Sequence, residues 1–214
     1  SLPLRFTKST RESDMRTITR AVYRSNDDGY LDPIHPAHIW VVDAPTPSQD
    51  VAAPRQVTQG AWGDDDFVWS IDGRQIYFIR SHLQEPSYER PRSDLFAVNT
   101  SGGDAQLLNA LSIDVAHMAL SPDGSRLAFV SSVNEPVRSY SQPDLWTVAL
   151  TPNAQPHNLT TSFDYDVADG VGGDNAPPRA AGSSPVLWSH DGRSIITVAA
   201  REGMSIALRS QPMA

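Results

Sequence analysis

The 214 residues are 39% apolar and 20% charged, and 25 Asp and Glu against 17 Lys and Arg give a net charge of -8. That balance supports a packed core but offers no field to gather a phosphate backbone, so no nucleic-acid partner is expected. Cysteine is absent, which removes disulfides, thiolate metal sites and cysteine nucleophiles; no run approaches the roughly 18 apolar residues of a membrane span.

In chain order, residues 1–16 (SLPLRFTKSTRESDMR) carry no apolar stretch of the kind a secretory leader needs and read as a connection. Residues 17–58 hold strands B, C and D of a partial blade, the last two carried by HIWVVD at 38–43 and QVTQG at 56–60. WSIDGRQIYFIR at 69–80 is followed by DLFAVN at 94–99 and QLLNA at 106–110, and LSPDGSRLAFVS at 120–131 by DLWTVA at 144–149 and HNLTT at 157–161. WSHDGRSIITVA at 188–199 precedes a weaker SIALRS at 205–210. The three long segments align without gaps, their starts 51 and 68 residues apart. A period of that length marks a repeat architecture.

Each piece is a run of β-branched and aromatic residues between turn-formers, with no helical period. Asp72-Gly73, Asp123-Gly124 and Asp191-Gly192 supply tight hairpins, the aspartate bonding local backbone and the glycine taking a positive φ. The order is therefore strand A (114–121), an Asp-Gly turn, strand B (125–132), strand C (143–150) and an outer strand D (156–160). Strand B is apolar at successive positions, as in Leu127-Ala128-Phe129-Val130, which requires cover on both faces. Radial closure provides that cover without exposed edges. The expected fold is all-β: a partial β-propeller of about four repeats of four-stranded antiparallel blades, a single region over 1–214 divided at 17–58, 65–109, 114–160 and 184–210. Fourteen strands do not fill whole blades, and the chain opens at Ser1 rather than a methionine. It is expected to be about half of a seven- or eight-bladed ring.

The blades resemble the repeats of TolB-type propellers and, more closely, the propeller of the prolyl oligopeptidase family of serine peptidases. YRSNDDGY at 23–30 followed by HIWVVD, then QVTQGAWGDDDFVWSIDGRQIYFIRS and SSPVLWSHDGRSIITVAAREG, resembles the acylaminoacyl-peptidase and dipeptidyl-aminopeptidase-like branch over residues 17–210, with Asn26-Asp27 inserted in the first motif. The resemblance implies a propeller that covers the active site of an α/β-hydrolase domain outside these residues, with short or N-acylated peptides as substrate. The chain itself has no G-x-S-x-G nucleophile elbow; Gly203-Met204-Ser205-Ile206-Ala207 lacks the second glycine. No catalytic residue, cofactor or metal is therefore expected within it. The alternatives are a TolB-type module binding another protein and a four-bladed ring binding a small molecule or carbohydrate. A cytoplasmic location is expected, with the periplasm as alternative, and self-association is left open.

Antiparallel connectivity puts the B–C loops and D–A connections on one face, where the long segments 25–37, 82–92, 132–143 and 162–183 fall. Binding residues are expected there: Arg24, Asp28 and Tyr30; Glu85, Tyr88 and Arg90; Arg138 and Tyr140. These mix aromatics with both charges, suited to a peptide's amine and carbonyl groups. His35-x-x-His38 lacks a third ligand and is set aside. Asp164-x-Asp166-x-x-Asp169-Gly170 is out of register for a calcium loop and is read as a disordered acidic stretch. Asp64-Asp65-Asp66 is read as a charged blade edge, and Trp40, Trp69, Trp146 and Trp188 as packing between blades. Asn99-Thr100-Ser101 and Asn158-Leu159-Thr160 match the glycosylation acceptor pattern by chance.

Overall fold

The computed structural model describes residues 17–19, 23–25, 29–30, 35–45, 52–83, 88–90, 92–133, 140–168 and 185–212. The chain divides into two compact units, Ser1–Leu31 and Asp32–Ala214. In the first, β1 (Arg24–Ser25) and β2 (Gly29–Tyr30) pair antiparallel, with Arg24 opposite Tyr30.

The second unit is a succession of antiparallel sheets, and every regular element among the described residues is a strand. First come β3 (Trp40–Val41) and β4 (Arg55–Gln56). Then follow β5 (Asp64–Trp69), β6 (Gln75–Arg80), β7 (Ser93–Asn99) and β8 (Gln106–Leu111), adjacent in chain order. A second four-stranded sheet repeats this order with β9 (Ala116–Leu120), β10 (Arg126–Ser132), β11 (Pro143–Ala149) and β12 (His157–Asn158). The last holds β13 (Leu187–Trp188), β14 (Ile195–Arg201) and β15 (Met204–Ser210). Strands A to D thus stand within two residues of their expected bounds in the β9–β12 sheet.

The core lies between sheets. Ile79 and Leu95 of the β5–β8 sheet pack with Leu127, Phe129 and Val148 of the next. On the opposite face of β10, Ala128 and Val130 pack with Val186 and Ile195, and Ile76 and Phe78 pack back on Ile39 and Val57. Successive residues of the second strand thus serve two different cores, which is why its sequence is apolar without alternation.

The A–B turn is one construction used three times. Ser70, Ser121 and Ser189 each donate a hydroxyl hydrogen bond to the turn aspartate, at 2.7, 2.6 and 2.6 Å. Each hydroxyl also accepts the N–H five residues on, from Gln75, Arg126 and Ser194 at 2.9, 3.0 and 2.9 Å. The aspartate accepts a further N–H, from Arg74, Ser125 and Arg193. Gly73, Gly124 and Gly192 turn the chain at φ 67, 70 and 67°. Successive turns touch: a Cβ on Gly124 would stand 3.0 Å from Ile71 Cδ1, and one on Gly192 3.8 Å from Pro122 Cδ.

At its other end, strand A is bulged. Asp66 and His117 have φ of 29 and 58°, and the ladder shifts register beside each. The third member of this series is Ala168 at φ 62°, which donates its N–H to Val198 O at 2.7 Å. The three bulge residues recur at a 51-residue spacing. In the last sheet the chain leaves strand A after Ala168 and resumes it at Val186, so the extra 17 residues of the 68-residue interval fall inside a strand. This corrects the expected D–A connection at 162–183 and the disordered acidic stretch. Val167 is 1% exposed and bridges Ala199, and only Asp169-Gly170 of that motif lies outside the described residues.

The aspartate triplet is a charged edge only in part: Asp65 is exposed, but Asp64 is interior. Asp64 begins β5 with its side chain fully buried between Arg80, at 2.6 Å, and His38, at 3.1 Å. Its expected solvent role fails because Arg80 pairs with it and the His38 ring nitrogen hydrogen-bonds it from inside. Trp188 and Trp146 do pack between sheets: Trp188 donates to Ala119 O at 3.1 Å under the guanidinium of Arg126, and Trp146 lies on the Ile79–Phe129 cluster. Trp40 and Trp69 differ, at 55% and 46% exposed. Trp188 draws its partners from the inner strand of the preceding sheet, and among the described residues no inner strand precedes β5.

Candidate functional site

The two faces of the array differ in construction. One carries the interlocked serine-aspartate-glycine turns and the C–D links, which are short at 100–105 and 150–156 and longer at 42–54. On the other, β6 leads toward β7 and β10 toward β11, and strand A is interrupted after Ala168. In the last sheet the B–C link shrinks to Glu202-Gly203, both at positive φ (51 and 77°), the geometry of a two-residue type I′ hairpin. The added length has moved from one connection to another while staying on the same face.

Asp28, Glu85 and Arg138 lie outside the described residues. Within Ser1–Leu31, Arg24 and Tyr30 come together: the guanidinium carbon stands 5.9 Å from the Tyr30 ring centroid, and Tyr23 packs on the same ring at 6.2 Å. Within Asp32–Ala214, Tyr88 is 80% exposed and Arg90 lines a cavity of about 380 Å³ with Glu89, Arg92 and Ser112. Tyr140 donates its hydroxyl to Asp166, two residues ahead of the strand-A bulge.

A second cavity, of about 290 Å³, sits at the bulged ends of the inner strands, lined by Asp114, His117, Ser131, Ser132, Val130 and Val167 among others. Asp66 accepts the Met118 N–H at 2.6 Å, which ties the first bulge to the residue after the second. Burial pushes the Asp66 carboxyl up, the Met118 bond opposes this, and Asp65 adds like-charge repulsion. Asp114 keeps contact with solvent, yet the protein mass around its carboxyl raises its pKa, with Asp65 contributing. Ser131 is 3% exposed, and its hydroxyl has no hydrogen-bond partner. No group of three or more metal-ligating side chains occurs among the described residues. None of Asp114, His117 and Ser131 was singled out from sequence. The available signal was register: each is a polar residue at a strand-end position of the 51-residue repeat.

The acceptor-pattern residue Asn158 is engaged in a clasp. It donates to Asp144 at 2.8 Å, while Thr160 donates to Asp144 at 2.7 Å and accepts the Leu145 N–H at 3.0 Å. Thr58 accepts the Ile39 N–H at 2.8 Å in the same way.

No protein-family model and no curated protein matches the chain. Solved structures do. An oligogalacturonate lyase in complex with manganese aligns with a TM-score of 0.61 at 14% identity over 89% of this chain and 47% of its own. An oligogalacturonate lyase from Vibrio parahaemolyticus aligns at 0.53 and 14% identity, over 75% of this chain and 39% of that one. A puromycin hydrolase complexed with PGG aligns at 0.53 and 18% identity, over 76% and 24% respectively. The fold is a β-propeller. The four sheets of Asp32–Ala214 are blades, and the chain spans between 24% and 47% of the length of these structures. Identities this low speak for the fold alone.

Proposed function

We propose that this chain is the propeller wall of a serine exopeptidase, admitting short peptides and orienting them for a hydrolase domain that lies outside these 214 residues. The observation that carries the reading is the asymmetry of the two faces. One carries the short, mutually packed A–B turns, and the other carries the β6–β7 and β10–β11 connections together with Arg90, Tyr88 and Tyr140. A rigid ring with loops on one face can exclude large proteins while leaving donors and carboxylates to hold a peptide backbone. Supporting this, a puromycin hydrolase is among the structures sharing the fold, and the 23–30 and 56–81 segments resemble the acylaminoacyl-peptidase branch. The partners are then the hydrolase domain and a short or N-acylated peptide.

The test is an assay with aminoacyl and N-acylaminoacyl nitroanilides. The 214-residue chain alone should turn over neither, and the protein encoded by the complete gene should turn over at least one through a serine outside this chain. Hydrolysis by the chain alone, or a complete gene with no G-x-S-x-G segment, would overturn the proposal. The second outcome would favour a protein-binding module built on the same face.

A further inference from the structure

The cavity at the bulged ends of the inner strands has the chemistry of a cation site. We infer that it binds a primary ammonium carried on an aliphatic stem, with Asp114 supplying the counter-charge and Ser131 a buried acceptor. Three observations meet there. Burial raises the Asp66 and Asp114 carboxyls, and like-charge repulsion from Asp65 adds to the rise in each. A ligand cation beside Asp114 relieves the repulsion that Asp65 imposes on it. Ser131, buried to 3% exposure and lining the cavity, leaves its oxygen without a hydrogen bond. A buried hydroxyl without a partner is costly, and a ligand N–H donor satisfies it.

Part of the remaining wall is aliphatic, beside the polar side chains of His117 and Ser132. Val130, Val167 and Pro143 line the same space, and at about 290 Å³ it stands at the small end of small-molecule sites. A four- or five-carbon stem suits those walls better than a polar ligand would. Two sources share the ammonium chemistry: a lysine side chain of a peptide, and a free diamine. The first deepens the peptidase reading and rests on it; the second stands without it.

The test is calorimetric titration of the 214-residue chain with N-acetyl-lysine N′-methylamide, its norleucine analogue, and cadaverine. The lysine compound should bind saturably, and the uncharged norleucine analogue about tenfold more weakly or worse. Asp114→Asn should weaken the lysine compound by about tenfold, and Ser131→Ala by about threefold to tenfold. Ser131→Ala removes an unsatisfied hydroxyl and so keeps the fold, which leaves a readout should Asp114→Asn not fold. Tighter binding of the lysine compound than of cadaverine assigns the site to peptides, and the reverse assigns it to free amines. Equal binding of the norleucine analogue, unchanged binding by both variants, or no saturable binding of either amine overturns the inference. Failure of the peptidase reading would appear instead as a chain that binds the amine while the complete gene product shows no hydrolysis.

Discussion

Asp123 holds its turn with bonds from the Ser121 hydroxyl and from the N–H and hydroxyl of Ser125, with no burial to assist. Those bonds favour the ionised carboxylate and lower its pKa to about 2; Asp72 and Asp191 are lowered by the same serine and backbone donors. A carboxylate depressed on folding contributes stability that is present above its unfolded pKa and lost as pH falls through the folded one. Stability should therefore fall between about pH 4 and about pH 2. Asp123→Asn should flatten that limb in an acid titration followed by tryptophan fluorescence while lowering the melting temperature at neutral pH. An unchanged acid limb would mean that the turn network does not couple to folding. Asp66 and Asp114 act in the opposite direction, since their raised values cost stability as pH rises. Burial, the leading cause for both, shifts them opposite to the turn aspartates, so the two sets contribute with opposite signs.

Among elements, the β5–β8 blade holds a buried ion pair between its first two strands, and His38 of the preceding segment reaches the same carboxylate. Arg80 binds Asp64 at 2.6 Å with both side chains nearly or wholly out of solvent, and its guanidinium carbon lies 5.4 and 5.1 Å from the rings of Phe78 and Phe96. Removing Arg80 leaves the buried Asp64 with His38 as its remaining side-chain partner, a loss of up to about 3–5 kcal/mol; replacing both members of a pair with apolar residues of similar size is often neutral. Arg80→Met should lower stability by that amount in urea unfolding, and the double variant Asp64→Leu/Arg80→Met should recover most of it. The repeat, its strand order and its glycine turns were legible in sequence because each leaves a signature of several residues. The triplet at 64–66 was misread because an aspartate run has the composition of a surface, and only the three-dimensional neighbours Arg80 and His38 reveal one of them as interior. The strand-A fragment Val167-Ala168 was missed for another reason: two residues are too few to carry a period of two. Of the proposed site residues, those on loops were legible only as types, and the polar group at the inner-strand ends was hidden within otherwise apolar strands.

Across the whole molecule, the interval between bulges is constant while the interval between turns is not. Asp66, His117 and Ala168 keep the 51-residue step, and the 17 added residues follow the third. Excising 169–185 joins Ala168 to Val186 in the register that Asp66-Phe67 and His117-Met118 already show. The shortened chain should fold with an unchanged far-ultraviolet circular dichroism spectrum and a melting temperature no lower than that of the full chain. Loss of cooperative unfolding would show that the insertion is needed to hold the last blade. The bulge is in this sense a socket: a strand can be interrupted there and resumed without disturbing the sheet, because the residue at positive φ already lies outside the ladder. Of the three sockets seen along the array, one is filled and two are empty, so Asp66 and His117 mark where a foreign loop could be grafted onto the same face.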